Sequence, residues 1–256
     1  MRKIICIANQ KGGVGKTTTA INLSASLAAT EKRTLLIDCD PQGNASNGIG
    51  IEKSLIAEKN LYHSLTGKVP LKDVIVSTQI PTLDIISSNR DLIGVEVEFV
   101  SLPDREKRLK YLLQKMDTPY EFIIIDCPPS LGFLTINSLV ASDNLIIPLQ
   151  CEYFAMEGLG YLLQTVKLIK ARLNPSLFLR GILLTMFDTR NRLSHRVAED
   201  VRKHFGKKVF KTVIPRNVRL SESPSHGLPI ILYDIGSRGA ISYMELAQEM
   251  LSNGRI

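Results

Sequence analysis

From residue 10 the chain reads Gln10-Lys11-Gly12-Gly13-Val14-Gly15-Lys16-Thr17-Thr18, after an apolar run and directly before a helix-forming stretch that begins Thr19-Ala20-Ile21. Glycines at this spacing let successive backbone N–H groups curl around an anion, and a helix N-terminus adds its partial positive charge. In such a loop Gly12, Gly13, Val14, Gly15 and Thr18 cradle phosphates. Lys16 is placed to neutralise the β- and γ-phosphates, and the Thr17 hydroxyl is placed to ligate Mg2+.

Two acidic segments stand where strands should end. Leu36-Ile37-Asp38-Cys39-Asp40-Pro41-Gln42-Gly43-Asn44 offers carboxylates that suit holding Mg2+, positioning a nucleophilic water or capping a turn. Spacing alone leaves these readings open. Ile125-Asp126-Cys127-Pro128-Pro129-Ser130 is an apolar strand closed by one aspartate, the Walker B form. There Asp126 would hold Mg2+ through a water, and the two prolines stiffen the segment that follows.

These residues need a scaffold of strands with helices between them. Apolar, β-branched runs predict strands at 3–8, 34–38, 83–87, 122–126, 144–149, 178–185 and 209–214. Several are apolar without alternation, as in strands covered on both faces. Leu109, Leu112, Leu113 and Met116 share one helical face, and Leu159, Leu162, Leu163, Val166 and Ile169 another. The expected fold is α/β: a doubly wound, mostly parallel sheet with helices on both faces, of the P-loop NTPase type, with ligands beyond the carboxyl ends of the strands. Residues 1–256 show no repeat, low-complexity tract or linker, so one domain is expected.

Composition excludes several classes. With 44% hydrophobic and 22% charged residues the chain shows no sign of disorder, no stretch approaches the roughly 18 uninterrupted apolar residues of a membrane span, and a cytoplasmic location is expected. Cys6, Cys39, Cys127 and Cys151 form no C-x-x-C pair, and the four histidines have no ligand spacing, so the cysteines read as small buried hydrophobes. Net charge is +7, unevenly spread. Residues 170–220 hold thirteen Lys/Arg against three acids, leaving the rest of the chain acidic. One basic segment on an acidic chain suits a polyanion.

The phosphate loop departs from G-x-x-x-x-G-K-[ST] at Gln10 and adds Lys11. K-G-G-x-G-K-T is the deviant Walker A motif, and here the chain resembles the ParA/MinD group of P-loop ATPases. D-x-D-P-Q-G-N from Asp38 matches that group's first switch. Val213-Ile214-Pro215-Arg216-Asn217-Val218-Arg219-Leu220-Ser221-Glu222-Ser223-Pro224 resembles I-P-R-N-V-R-L-S-E-A-P of chromosomal ParA/Soj proteins, with Ser223 replacing alanine. Gln150-Cys151-Glu152-Tyr153, Leu184-Thr185-Met186-Phe187-Asp188 and residues 231–240 extend the resemblance over nearly the whole chain. Together they point to the partitioning branch rather than to MinD.

The resemblance implies an ATPase that takes ATP and Mg2+ and forms an ATP-dependent homodimer. Lys11 would reach across the interface to the other subunit's nucleotide and stabilise charge as the γ-phosphoryl leaves, as an arginine finger does. Asp40 would orient the attacking water. Pro215 and Asn217 would flank adenine, the amide of Asn217 offering donor and acceptor together; otherwise the pair only makes a turn. Arg190 and Arg219 match positions the family uses to grip DNA, with Lys207, Lys208, Lys211 and Arg216 as additions. No recognition helix or stacking platform is visible in the sequence, so non-specific double-stranded DNA is the expected partner, bound through phosphates. A ParB/Spo0J-like activator and a nucleoid-associated location complete the expectation. The chain starts at its first strand, so no N-terminal DNA-reading domain is expected.

The alternative is a MinD-like membrane-recruited spatial regulator. Residues 241–251 carry Glu245 and Glu249 and no Lys or Arg, so this helix is expected to dock on its own fold, with no membrane partner. An electron-transfer iron protein is disfavoured because no cysteine falls between Cys39 and Cys127. Lys11 and Asp40 argue against a non-hydrolysing scaffold, and no acceptor-binding feature suggests a small-molecule kinase.

Overall fold

The computed structural model describes residues 2–252. Eight strands form one sheet: β1 (Lys3–Ile7), β2 (Thr34–Asp38), β3 (Ile75–Ser77), β4 (Leu83–Ile86), β5 (Phe122–Asp126), β6 (Asn144–Gln150), β7 (Phe178–Phe187) and β8 (Val209–Pro215). Their order is β3-β4-β2-β5-β1-β6-β7-β8. Every pairing is parallel except β3 with β4. β3 escapes a sequence reading because three residues are too few to show a period.

The unbroken apolar strands are explained by two cores. In β5, Ile123 and Ile125 face a core shared with helices Arg108–Gln114, Phe133–Ala141, Ala155–Arg172 and Arg192–Phe205. Phe122 and Ile124 face the opposite core, shared with helices Lys16–Ala29 and Arg238–Ser252. Burying each isoleucine contributes roughly 1.5–3 kcal/mol relative to leaving it exposed. The sheet is therefore doubly wound, and the expected fold class holds. Leu159, Leu162, Val166 and Ile169 are buried as their spacing predicts. Helix Arg108–Gln114 stops before Met116, whose side chain still reaches the core.

β1 lies between β5 and β6, so the chain passes from one half of the sheet to the other across β1. A crevice opens at the carboxyl ends of strands at such a point. On the same face as helix Lys16–Ala29, helix Arg238–Ser252 buries Tyr243, Leu246, Ala247 and Met250. Its Glu249 accepts hydrogen bonds from the backbone of Lys211 and Thr212 at 2.8 and 2.9 Å, tying the helix to β8. Among the described residues no helix is long and apolar enough to cross a membrane.

Candidate functional site

The loop after β1 turns through Gly13 (φ 70°) and Gly15 (φ 85°), left-handed conformations that side chains with a Cβ disfavour. Helix Lys16–Ala29 follows with no side-chain cap, which leaves first-turn N–H groups for an anion. Loop residues 12–18, apart from Val14, line a cavity of about 700 Å3, together with Asp40, Pro215 and Asn217. That volume suits a nucleotide-sized ligand. Val14 turns inward, and its carbonyl accepts from the Thr185 hydroxyl at 2.9 Å.

Lys16 is buried, and its ammonium donates to the Lys11 carbonyl at 2.9 Å. Burial lowers its pKa below the usual lysine range, and the charges of Asp126, Cys127 and Asp40 work against that fall. Asp126 closes β5 fully buried, with neither carboxylate oxygen hydrogen-bonded. Burial drives its pKa well above the carboxylate range, and neighbouring Asp38 pushes it further. Thr17 lies close enough to offset part of the rise without a hydrogen bond of good geometry. An orphaned carboxylate beside a hydroxyl is a hard-oxygen donor set that a divalent cation would satisfy. The residues present therefore fit Mg2+.

Asp38 and Asp40, two residues apart, are used differently. Asp38 is spent inside the protein: it accepts from the Ser46 amide (2.9 Å), the Ser46 hydroxyl (2.8 Å) and the Asp40 amide (3.1 Å). Burial raises its pKa to about 6 despite these donors. Asp40 faces the cavity, with one carboxylate oxygen taken by the Gln42 amide at 2.9 Å. Asn217 caps the short helix Val218–Glu222, its side-chain oxygen accepting from the Leu220 amide at 3.2 Å. Part of the acceptor capacity expected to face adenine is thus already engaged.

Lys11 is not in the cavity wall. It stands half-exposed outside, ion-paired with Glu152 of its own chain. The basic residues divide in space. Arg190, Arg216 and Arg219 follow the carboxyl ends of β7 and β8, and Arg216 also lines the cavity. Lys207 and Lys208 precede β8, at the other end of a seven-residue strand about 20 Å long. Lys211 lies within that strand, exposed. Arg190 is held by Asp188 through two hydrogen bonds of 3.2 Å, and Arg219 by Glu222 at 2.9 Å and Asp234 at 3.4 Å.

The motif reading passed over Ser46 and Ser88. Both are buried beside Asp40, and Ser87-Ser88 directly follows β4, a position that belongs to the ligand end of a parallel sheet. The four cysteines are buried and free; the sulfurs of Cys6 and Cys127 are 3.2 Å apart.

Known proteins share this sequence pattern and fold. A family model described as an AAA domain matches residues 2–179. The sporulation initiation inhibitor protein Soj of Bacillus subtilis is 56% identical over 99% of this chain and 100% of its own length. The chromosome partitioning protein ParA of Myxococcus xanthus is 54% identical over 97% of this chain and 88% of its own. Among solved structures, one described as cobyrinic acid a,c-diamide synthase from Mycobacterium smegmatis, with bound ADP and magnesium, superposes with a TM-score of 0.86. It is 36% identical and covers all of this chain and 97% of that one.

Proposed function

Because this chain belongs to the ParA/Soj family of partitioning ATPases, with ATP and Mg2+ as its cofactors, we propose that it works as a DNA-bound, nucleotide-gated dimer. In this reading residues 1–256 act as one domain. Two copies close face to face on ATP, the dimer coats double-stranded DNA without sequence preference, and a ParB/Spo0J-like activator triggers hydrolysis. Its place would be the cytoplasm, on the nucleoid. The observation that carries the reading is the split between the two loop lysines: Lys16 points into the cavity of its own chain, and Lys11 stands outside it.

The residues divide the work. The loop amides and Lys16 hold the phosphates. Thr17 and Asp126 would hold Mg2+, which when bound neutralises phosphate oxygens. Asp40 orients the water that attacks the γ-phosphoryl. Lys11 exchanges Glu152 for the nucleotide of the other subunit, and charge leaving the γ-phosphoryl is stabilised from both sides. Pro215 and Asn217 border the base; Arg216 lines the cavity, and Arg190 and Arg219 follow the same strand ends, which would link nucleotide state to DNA grip. Helix Arg238–Ser252 spends its apolar face on the core, which favours this reading over a membrane-recruited one.

Size-exclusion chromatography of Asp40→Ala tests the proposal. With saturating ATP and Mg2+ the variant should run as a dimer and retain plasmid DNA; with ADP it should run as a monomer and release it. A single subunit under ATP would overturn the reading.

A further inference from the structure

Ser88 lies outside every nucleotide motif, yet it grips the segment that carries Asp40. Its hydroxyl donates to the Asp40 carbonyl, and its amide donates to the Ser46 hydroxyl at 3.2 Å. The Ser46 hydroxyl gives its one proton to Asp38 at 2.8 Å, and Asp38 in turn accepts from the Asp40 amide at 3.1 Å. Donors and acceptors balance around a closed ring of four residues. All four are nearly inaccessible: Asp38 0%, Ser46 1%, Ser88 1% and Asp40 6% exposed.

The chain on the other side of Asp40 is just as confined. The Gly43 amide donates to the Asp40 carbonyl at 2.9 Å, which gives that carbonyl two donors. Gly43 has φ +65°, and a Cβ there would lie 2.9 Å from the Ser88 carbonyl oxygen, so only glycine lets this turn lie so close to β4. The backbone of Asp40 is therefore pinned at its amide and its carbonyl, while its side chain faces the cavity.

We propose that Ser88, through the hydrogen bond of its hydroxyl to the Asp40 carbonyl, is a positioning residue for ATP hydrolysis that fixes the backbone from which Asp40 presents its carboxylate. The proposal rests on the reading of Asp40 as the water-orienting residue. A group that aligns an attacking water tolerates little displacement: a misplacement of about 1 Å costs on the order of 100-fold in rate. Ground-state nucleotide binding depends on Lys16 and the loop amides, which Ser88 does not touch. Its loss should therefore appear in kcat and spare KM.

The test is steady-state ATP hydrolysis by the full chain with Mg2+ and plasmid DNA, comparing Ser88→Ala, Ser88→Thr and Asp40→Ala with the parent. Ser88→Ala should lower kcat about tenfold and leave KM within about twofold. Ser88→Thr, which keeps the hydroxyl, should stay within about threefold of the parent rate, a rescue that general loosening of the core would not give. If Ser88→Ala does not fold, Ser88→Cys takes its place, and its weak donor should give an intermediate kcat. A parent-like kcat in Ser88→Ala beside an inactive Asp40→Ala would overturn this proposal alone. Equal losses in the alanine and threonine variants, or a KM that rises as kcat falls, would do the same. A parent-like Asp40→Ala would instead remove the premise.

Discussion

Charged residues at the phosphate crevice and on the basic surface obey different physics. In the crevice Lys16 is 6% exposed and Asp126 fully buried, so the fold decides where each charge sits and what it touches. On the surface the Arg190 side chain is 86% exposed and that of Arg219 54%, and each already pairs with acids of its own chain. A buried charge acts in low dielectric, where losing one contact is costly. An exposed charge is screened by salt and counts mainly as one of many. The crevice is built for one ligand in one geometry; the surface suits a repetitive polyanion.

That contrast predicts unequal responses. The largest belongs to Lys16→Ala, which removes the buried cation from the phosphate loop. A hydrogen bond to a charged group contributes about 1.5–3 kcal/mol. ATP affinity, read with a fluorescent analogue, should thus fall roughly 10- to 150-fold. A loss below threefold would mean that the buried lysine is not what holds the nucleotide.

Charge reversal on the surface should do less, and unevenly. Arg219→Glu should weaken plasmid DNA binding about tenfold at low salt and reduce the salt slope. The pair Lys207→Glu and Lys208→Glu should weaken it only about two- to threefold, because these lysines lie at the opposite end of β8, away from the cavity rim. Equal losses would mean that DNA tracks the whole length of the strand, and the proposed division of the basic residues would be wrong.

Legibility in the sequence follows how far apart interacting residues lie. The phosphate loop is nine consecutive residues, and residues 122–126 announce a doubly covered strand in five letters. Both could be read without knowing what they pack against. Asn217 was readable only as an adenine contact or a turn residue, because the five-residue helix it caps is too short to show a period. Ser88 was not readable, because its partners Ser46 and Asp40 lie 42 and 48 residues away and serine at a strand end has many uses. Nor was the pairing of Lys11 with Glu152, 141 residues apart. The basic segment was visible as composition, but not its division between the two ends of β8, because a charge count carries no direction.

The acids that hold the surface arginines offer the finest probe of the contrast. Asp188 occupies both Nε and one terminal nitrogen of Arg190, the same fork a phosphate would take. DNA must therefore displace or share it, and the carboxylate repels the incoming phosphates. Asp188→Asn keeps the size of the side chain and the acceptor for the Arg190 amide, which lies 3.0 Å from the aspartate oxygen, but removes the charge. DNA affinity should rise about two- to threefold at low salt and return to the parent value as salt screens the repulsion. ATP affinity should not change, since Asp188 is no part of the cavity wall. Weaker binding in Asp188→Asn would instead mean that the aspartate aims Arg190 at DNA, and the surface would then be pre-organised in the way the crevice is.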